Sequence, residues 1–232
     1  MTAAPPIPDP SLELRAVAHS YARTPALRGV SLTLHPGEVV AVTGPSGCGK
    51  STLLHAAAGL LTPQAGSVTL LGRDLARLDE TERAVLRRRE VGIVLQYGQL
   101  VPDLPLRDNV ALPLLLDGGD LAAARTAAHD ALARVGLADA AGAVPQEVSG
   151  GQAQRAAVAR ALLTSPRVLL ADEPVASLDA TGGRQVLDLL LDVARRDGGA
   201  VLLVTHDNTA AALADREVRL RDGAVEHEAV LR

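Results

Sequence analysis

The sequence predicts an α/β fold organised around a mostly parallel sheet. Three stretches carry the prediction: "EVVAVTG" at 38–44, "VLLADE" at 168–173 and "AVLLVTH" at 200–206. Each is a nearly continuous apolar run, the pattern of a parallel strand covered on both faces. Segments of helical spacing separate them, and alternating strands and helices imply parallel order. The first run leads into a glycine-rich loop, "GPSGCGKST" at 44–52, with helical sequence beyond it.

The elements follow in order. "LELRA" at 12–16 and "VSLTL" at 30–34 alternate apolar and polar residues, as half-buried strands do, and Pro36-Gly37 turns the chain. After the glycine loop, "STLLHAAAGL" reads as a helix that Gly59 ends. "SVTLLG" at 67–72 is a short strand, 79–90 a charged helix, and "VGIVLQ" at 91–96 a strand closing on glutamine. Residues 97–165 change character: rich in Ala and Leu, with Leu121, Ala128, Leu132 and Val135 at helical spacing and a break at Gly136. They read as a helical insertion. Val186, Leu190 and Val193 repeat along a later helix that Gly198-Gly199 close. Residues 217–228 alternate around an Asp-Gly turn, a hairpin signature.

Composition narrows the partners. The 232 residues are 47% hydrophobic, enough for a sizeable core. A net charge of −4 and no basic tail argue against nucleic acid. The single cysteine, Cys48, excludes an intrachain disulfide and suits a reducing cytoplasm. "MTAAPPIPDP" has neither a charged n-region nor an apolar h-region, so 1–11 reads as a flexible leader. The longest apolar run near the middle is "VALPLLL" at 110–116, far short of the ~20 residues of a transmembrane helix. A soluble chain is expected, with any membrane crossing left to another chain. Of 23 basic residues only Lys50 is a lysine, and it stands in the glycine loop. A compact ammonium and a planar guanidinium are not interchangeable there.

Residues 44–51 follow G-x-x-x-x-G-K-S, the Walker A P-loop, between a predicted strand and a predicted helix. In such a loop Gly44, Pro45, Ser46, Gly47, Cys48 and Gly49 bend the backbone so that its N–H groups wrap phosphates. Lys50 reaches the β- and γ-phosphates, Ser51 ligates Mg²⁺, and Thr52 completes the ATP-binding set. Cys48 reads as a small residue offering its backbone. "VLLADEP" is a Walker B strand: Asp172 holds Mg²⁺ and Glu173 polarises the attacking water. Gln96 ends its strand with a neutral amide suited to Mg²⁺ or the lytic water. His206 ends "AVLLVTH", where a structural and a chemical role are both open. Tyr21, one of two aromatic residues, is placed to stack on adenine. A second anion cradle stands at "SGGQ", where Ser149, Gly150, Gly151 and Gln152 open a helix.

Taken in order, Tyr21, 44–52, Gln96, 149–152, 172–173 and His206 resemble the ATP-binding cassette (ABC) ATPases, over roughly 12–225. "VSGGQ" is similar to that family's signature motif, and "ASLD" at 176–179 to its D-loop. The resemblance implies a P-loop NTPase (RecA-like) core with an N-terminal antiparallel β subdomain and an inserted helical one. It gives one domain at 12–232, with core at 12–96 and 166–232 and the signature subdomain at 97–165. It implies two such domains packed head to tail, with ATP between one copy's Walker A and the other's signature. Glu173, Gln96 and His206 map onto the catalytic glutamate, Q-loop glutamine and switch histidine, with Gln96 also on Mg²⁺. The stretch 97–113 would meet integral membrane permease subunits, and Tyr97 would either join that contact or pack. The location implied is cytoplasmic, at the inner face of the cell membrane. "LDETERAVLRRREVGIVLQ", "NVALPLLLDG" and "VTHD" look like the subgroup of lipoprotein release, macrolide export and the cell-division cassette. Val148, Leu95 and "PVAS" at 174–177 depart from the usual residues.

Overall fold

The computed structural model describes residues 9–96, 98–196 and 198–232. Most of the leader (1–8) and Tyr97 lie outside the described residues. The chain opens with a long hairpin, β1 (Leu12–Tyr21) and β2 (Thr24–Leu34). With β4 (Ala65–Leu70) and β5 (Arg73–Asp74) it forms an antiparallel sheet of order β2-β1-β4-β5. A second sheet gathers β3 (Val39–Thr43), β6 (Val91–Val94), β7 (Val168–Asp172), β8 (Ala200–Val204), β9 (Arg216–Arg221) and β10 (Ala224–Val230). Its order is β10-β9-β3-β8-β7-β6, parallel throughout except for β10.

The hydrophobic runs behave as two-faced strands. Val40, Val42, Leu170, Leu202 and Val204 pack into one core with the antiparallel sheet and α1 (Lys50–Ala57). Val39, Ala41, Leu169, Ala171, Val201 and Leu203 pack into the other, under α6 (Ala180–Arg195). α6 buries Gly183, Val186, Leu187, Leu190, Leu191 and Ala194, the i, i+3, i+4 stripe that lays a helix on a sheet. Asp79 caps α2 (Glu80–Glu90) through a reciprocal capping box with Glu82.

Residues 98–165 carry α3 (Leu106–Leu116), α4 (Leu121–Arg134) and α5 (Gly150–Leu162). These helices have a third core of their own, with Leu106, Val110, Ala128, Leu132 and Ala156 in it, and Val148 packs against it. The short helix α7 (Asn208–Ala211) follows β8.

Several element ends differ from the sequence expectation. β1 runs on past Ala16 to Tyr21, through a register shift at which Ala16 has a left-handed φ of 48°. The shift breaks the two-residue alternation, so the pattern hides the continuation. The strand expected to close on Gln96 ends at Val94, and Gln96 lies in the exposed turn beyond. β7 ends at Asp172, so Glu173 lies past the strand rather than in it.

Candidate functional site

β3, β8, β7 and β6 are neighbours and parallel, so their C-terminal ends lie side by side along one edge. That edge is where open α/β sheets bind ligands. The glycine loop leaves β3, His206 follows β8, Asp172 ends β7 with Glu173 next, and Gln96 follows β6. Sheet order therefore assembles residues more than a hundred positions apart.

The loop is shaped by close backbone contacts. A Cβ at Gly44 would lie 2.2 Å from the Leu220 carbonyl oxygen, and one at Gly49 would lie 2.3 Å from that of Ala26. Both glycines have positive φ, 138° and 105°, which L side chains rarely adopt. Cys48 is buried, its N–H donating to the Pro45 carbonyl and its own carbonyl accepting from Gly223. The Lys50 ammonium donates to the carbonyls of Gly44 (2.8 Å) and Pro45 (3.1 Å), which holds it over the loop.

Helix α1 starts in this loop with no side-chain cap, whereas Asp79, Asp120, Ser149 and Asp179 cap α2, α4, α5 and α6. First-turn N–H groups without a side-chain acceptor, beside an ammonium, fit a phosphate. Tyr21, Thr24, Pro25, Ala26, Gly47, Gly49, Lys50, Ser51 and Thr52 enclose a cavity of about 270 Å³ here. Tyr21 is 51% exposed on its rim. An aromatic face, a cationic side chain and free amide donors are the donor set that a nucleoside triphosphate calls for.

Asp172 is buried, and burial pushes its carboxyl up. The neighbouring Ser51 hydroxyl works against this, while the Glu173 charge raises it further. A buried carboxylate against a hydroxyl suits a hard divalent cation, which relieves the desolvation. Glu173 stands in a left-handed conformation, φ 47°, with its N–H donating to the Val204 carbonyl at 2.9 Å. Its carboxylate meets His206 Nδ1 at 2.7 Å and accepts from the Thr205 hydroxyl at 3.3 Å. The Glu173 side chain is 11% exposed and His206 70%. Sheet order thus joins Glu173 to His206, which the sequence left undecided. Thr205 was not foreseen; its only signal was its place in "VTHD".

The second cradle lies elsewhere. Ser149 caps α5, its Oγ accepting from the Gln152 N–H (3.2 Å) while Gln152 Oε1 accepts from the Ser149 N–H (2.8 Å). With Gly150, Gly151, Ser177, Leu178 and Asp179 these residues line a cavity of about 490 Å³. It shares no described residue with the P-loop cavity.

The family profile described as ABC transporter matches residues 27–176. The chain belongs to the ABC transporter family. The "Lipoprotein-releasing system ATP-binding protein LolD" of Maricaulis maris is 43% identical over 91% of this chain and 94% of its own. LolD 2 of Caulobacter vibrioides is 42% identical over 96% and 99%. The macrolide export ATP-binding/permease protein MacB of Rhodopseudomonas palustris is 42% identical over 93% of this chain, which spans 33% of that longer protein. The dimeric ATP-binding cassette MJ0796 bound to ADP and Pi has a TM-score of 0.91 at 36% identity, covering 95% of this chain and 99% of that one.

The P-loop NTPase fold and the ABC-type ATPase activity, ATP to ADP and phosphate, follow from this membership. ABC cassettes bind ATP, dimerise and work with membrane components. Among the described residues of this one, no helix is long and apolar enough to cross a membrane.

Proposed function

We propose that two copies of this cassette close head to tail around two MgATP and drive a separate permease, in an exporter-type complex. The observation that carries the reading is the division of the phosphate cradles between cavities with no described residue in common. A two-fold axis sets the signature cradle of one copy against the P-loop of the other, and uses each cradle twice.

Lys50 and the α1 N-terminus grip the phosphates, and Tyr21 stacks on the adenine. Ser51, Asp172 and Gln96 hold Mg²⁺, which neutralises phosphate charge when bound. Glu173 takes a proton from the attacking water, and His206 orients its carboxylate. Across the interface, Gly150, Gly151 and Gln152 present a helix N-terminus to the γ-phosphate. The Ser149 hydroxyl accepts from Gln152 and keeps its own proton to donate there. These contacts are lost when the γ-phosphate leaves, so hydrolysis reopens the pair.

The permease contact is supported by an apolar groove of about 430 Å³ between α2, β6, α3 and α5. Leu60, Ile93, Leu95, Leu112, Pro113 and Leu116 line it, with Leu60 50% and Leu116 66% exposed. It suits a permease helix at the cytoplasmic face, with the core (12–96, 166–232) and the helical part (97–165) as its two walls. The lipoprotein-releasing relatives favour a second reading, a cassette that transmits force to envelope machinery without carrying cargo across. Both share the dimer. Ser149→Arg is expected to keep single-chain ATP binding and to abolish dimerisation and turnover; equal loss of ATP binding would assign the second cradle to its own chain's nucleotide.

A further inference from the structure

The Tyr21 ring is not left to find its own orientation. His19 and Tyr21 are two apart on β1 and share a face. Their rings meet edge to face, centroids 4.9 Å apart and planes at 74°. This is the favoured geometry of an aromatic pair. His19 is half-buried, and its Nδ1 is buried with no hydrogen-bond partner. Packing against Tyr21, rather than a hydrogen bond at Nδ1, is therefore what the imidazole offers.

The backbone beneath the pair is fixed from two sides. Ser20, between them, exchanges both its backbone groups with the Gln64 amide, at 3.0 and 3.1 Å. On the other side the β1–β2 register slips between His19 and Ser20, leaving Ala26 as the extra residue of a bulge. That residue carries the carbonyl packed against Gly49 of the P-loop. The strand end is thus pinned relative to the phosphate cradle, and the remaining freedom of Tyr21 is its side-chain torsion. The edge-to-face contact with the imidazole restricts that freedom and leaves the ring's exposed part to the cavity.

We propose that His19 is a positioning residue for the nucleobase: it pre-sets the Tyr21 ring for stacking and so raises affinity for the adenine end of ATP alone. The inference rests on the stacking role of Tyr21. Binding by the purified full chain tests it, with ATP compared against inorganic tripolyphosphate, which has the phosphates without the base. His19→Thr removes the ring and keeps strand preference. It should weaken ATP about fivefold, or ~1 kcal/mol at 1.4 kcal/mol per tenfold, and leave tripolyphosphate unchanged. His19→Phe keeps an aromatic ring against Tyr21 and should restore ATP affinity. In steady-state ATPase the loss should fall on KM, not kcat. Equal weakening of tripolyphosphate would make His19 a support of the P-loop and overturn the proposal, as would unchanged ATP affinity or failure of His19→Phe to rescue. Tyr21→Ala separates the two readings. If it leaves ATP affinity intact, the stacking role falls; if it weakens ATP and His19→Thr does not, only the role of His19 falls.

Discussion

Glu173 occupies a backbone conformation that costs a non-glycine residue about 1–3 kcal/mol, and the surrounding groups hold it there. Its N–H is tied to Val204, and its carboxylate to His206 and Thr205. Glu173→Gln preserves the shape and removes the proposed base. Turnover should fall about 10²–10⁴-fold, the usual worth of a positioned base, and ATP-bound dimers should accumulate on size exclusion. Wild-type turnover would remove Glu173 from the chemistry. Gly49→Ala tests the loop's shape: its Cβ would meet the Ala26 carbonyl at 2.3 Å in a φ of 105°. It should weaken ATP at least tenfold and cost about 1–3 kcal/mol of stability, read by ligand titration and thermal melting. At this scale the sequence placed residues that belong to spaced motifs: Lys50 and Ser51 open α1 and Asp172 ends β7, as the motif spacing predicts. Ala26 and Gln64 were illegible, because their contacts with Gly49 and Ser20 come from a bulge and a strand pairing that no local spacing encodes.

Between elements, the helical part depends on a bidentate pair: Asp108 of α3 accepts from Arg125 of α4 at 2.7 and 2.8 Å. The Asp108 side chain is 15% exposed, and the guanidinium holds its carboxyl below the ordinary 3.8. A folded-state value below the unfolded one stabilises at pH above about 4, and that stability drains away as pH falls through the lowered value. Asp108→Asn should therefore cost about 1 kcal/mol at pH 7, less in high salt, with the gap to wild type closing at a second, acid pH where Asp108 is protonated in the folded state too. Urea unfolding at the two pH values reads it; a gap that persists in acid would trace the loss to packing instead. The buried parallel strands and α6 were legible, because burial on two faces and a helical stripe each leave a strong periodic signature. β1 beyond Ala16 and β2 before Val30 were not, since bulges at Ala16 and Gly29 reverse which face each residue takes.

For the whole molecule, the decisive quantity is which copy completes which site. In one chain the P-loop and the 149–152 cradle face separate cavities, so under the proposed head-to-tail pairing a single copy offers two half-sites. Lys50→Ala spoils one half and Ser149→Arg the other, and neither variant alone can build an intact site in a homodimer. A mixture is different. The intact Lys50 of one variant meets the intact Ser149 of the other, giving one complete and one doubly damaged site per pair. With Glu173→Gln added to both so that closure is not reversed, differently tagged copies should co-elute with ATP only in the mixture. Because the contact proposed to cross the interface is the one between the Ser149 cradle and the γ-phosphate, pairing should vanish with ADP, which lacks that phosphate. Co-elution of either variant with itself would show that closure does not need both cradles. Failure of the mixture, with each variant folded and Ser149→Arg still binding ATP, would mean that a stable pair requires both sites filled or that the copies do not meet head to tail. Linking two wild-type P-loops to one spoiled signature in a single chain separates these outcomes, since it leaves one site complete by construction.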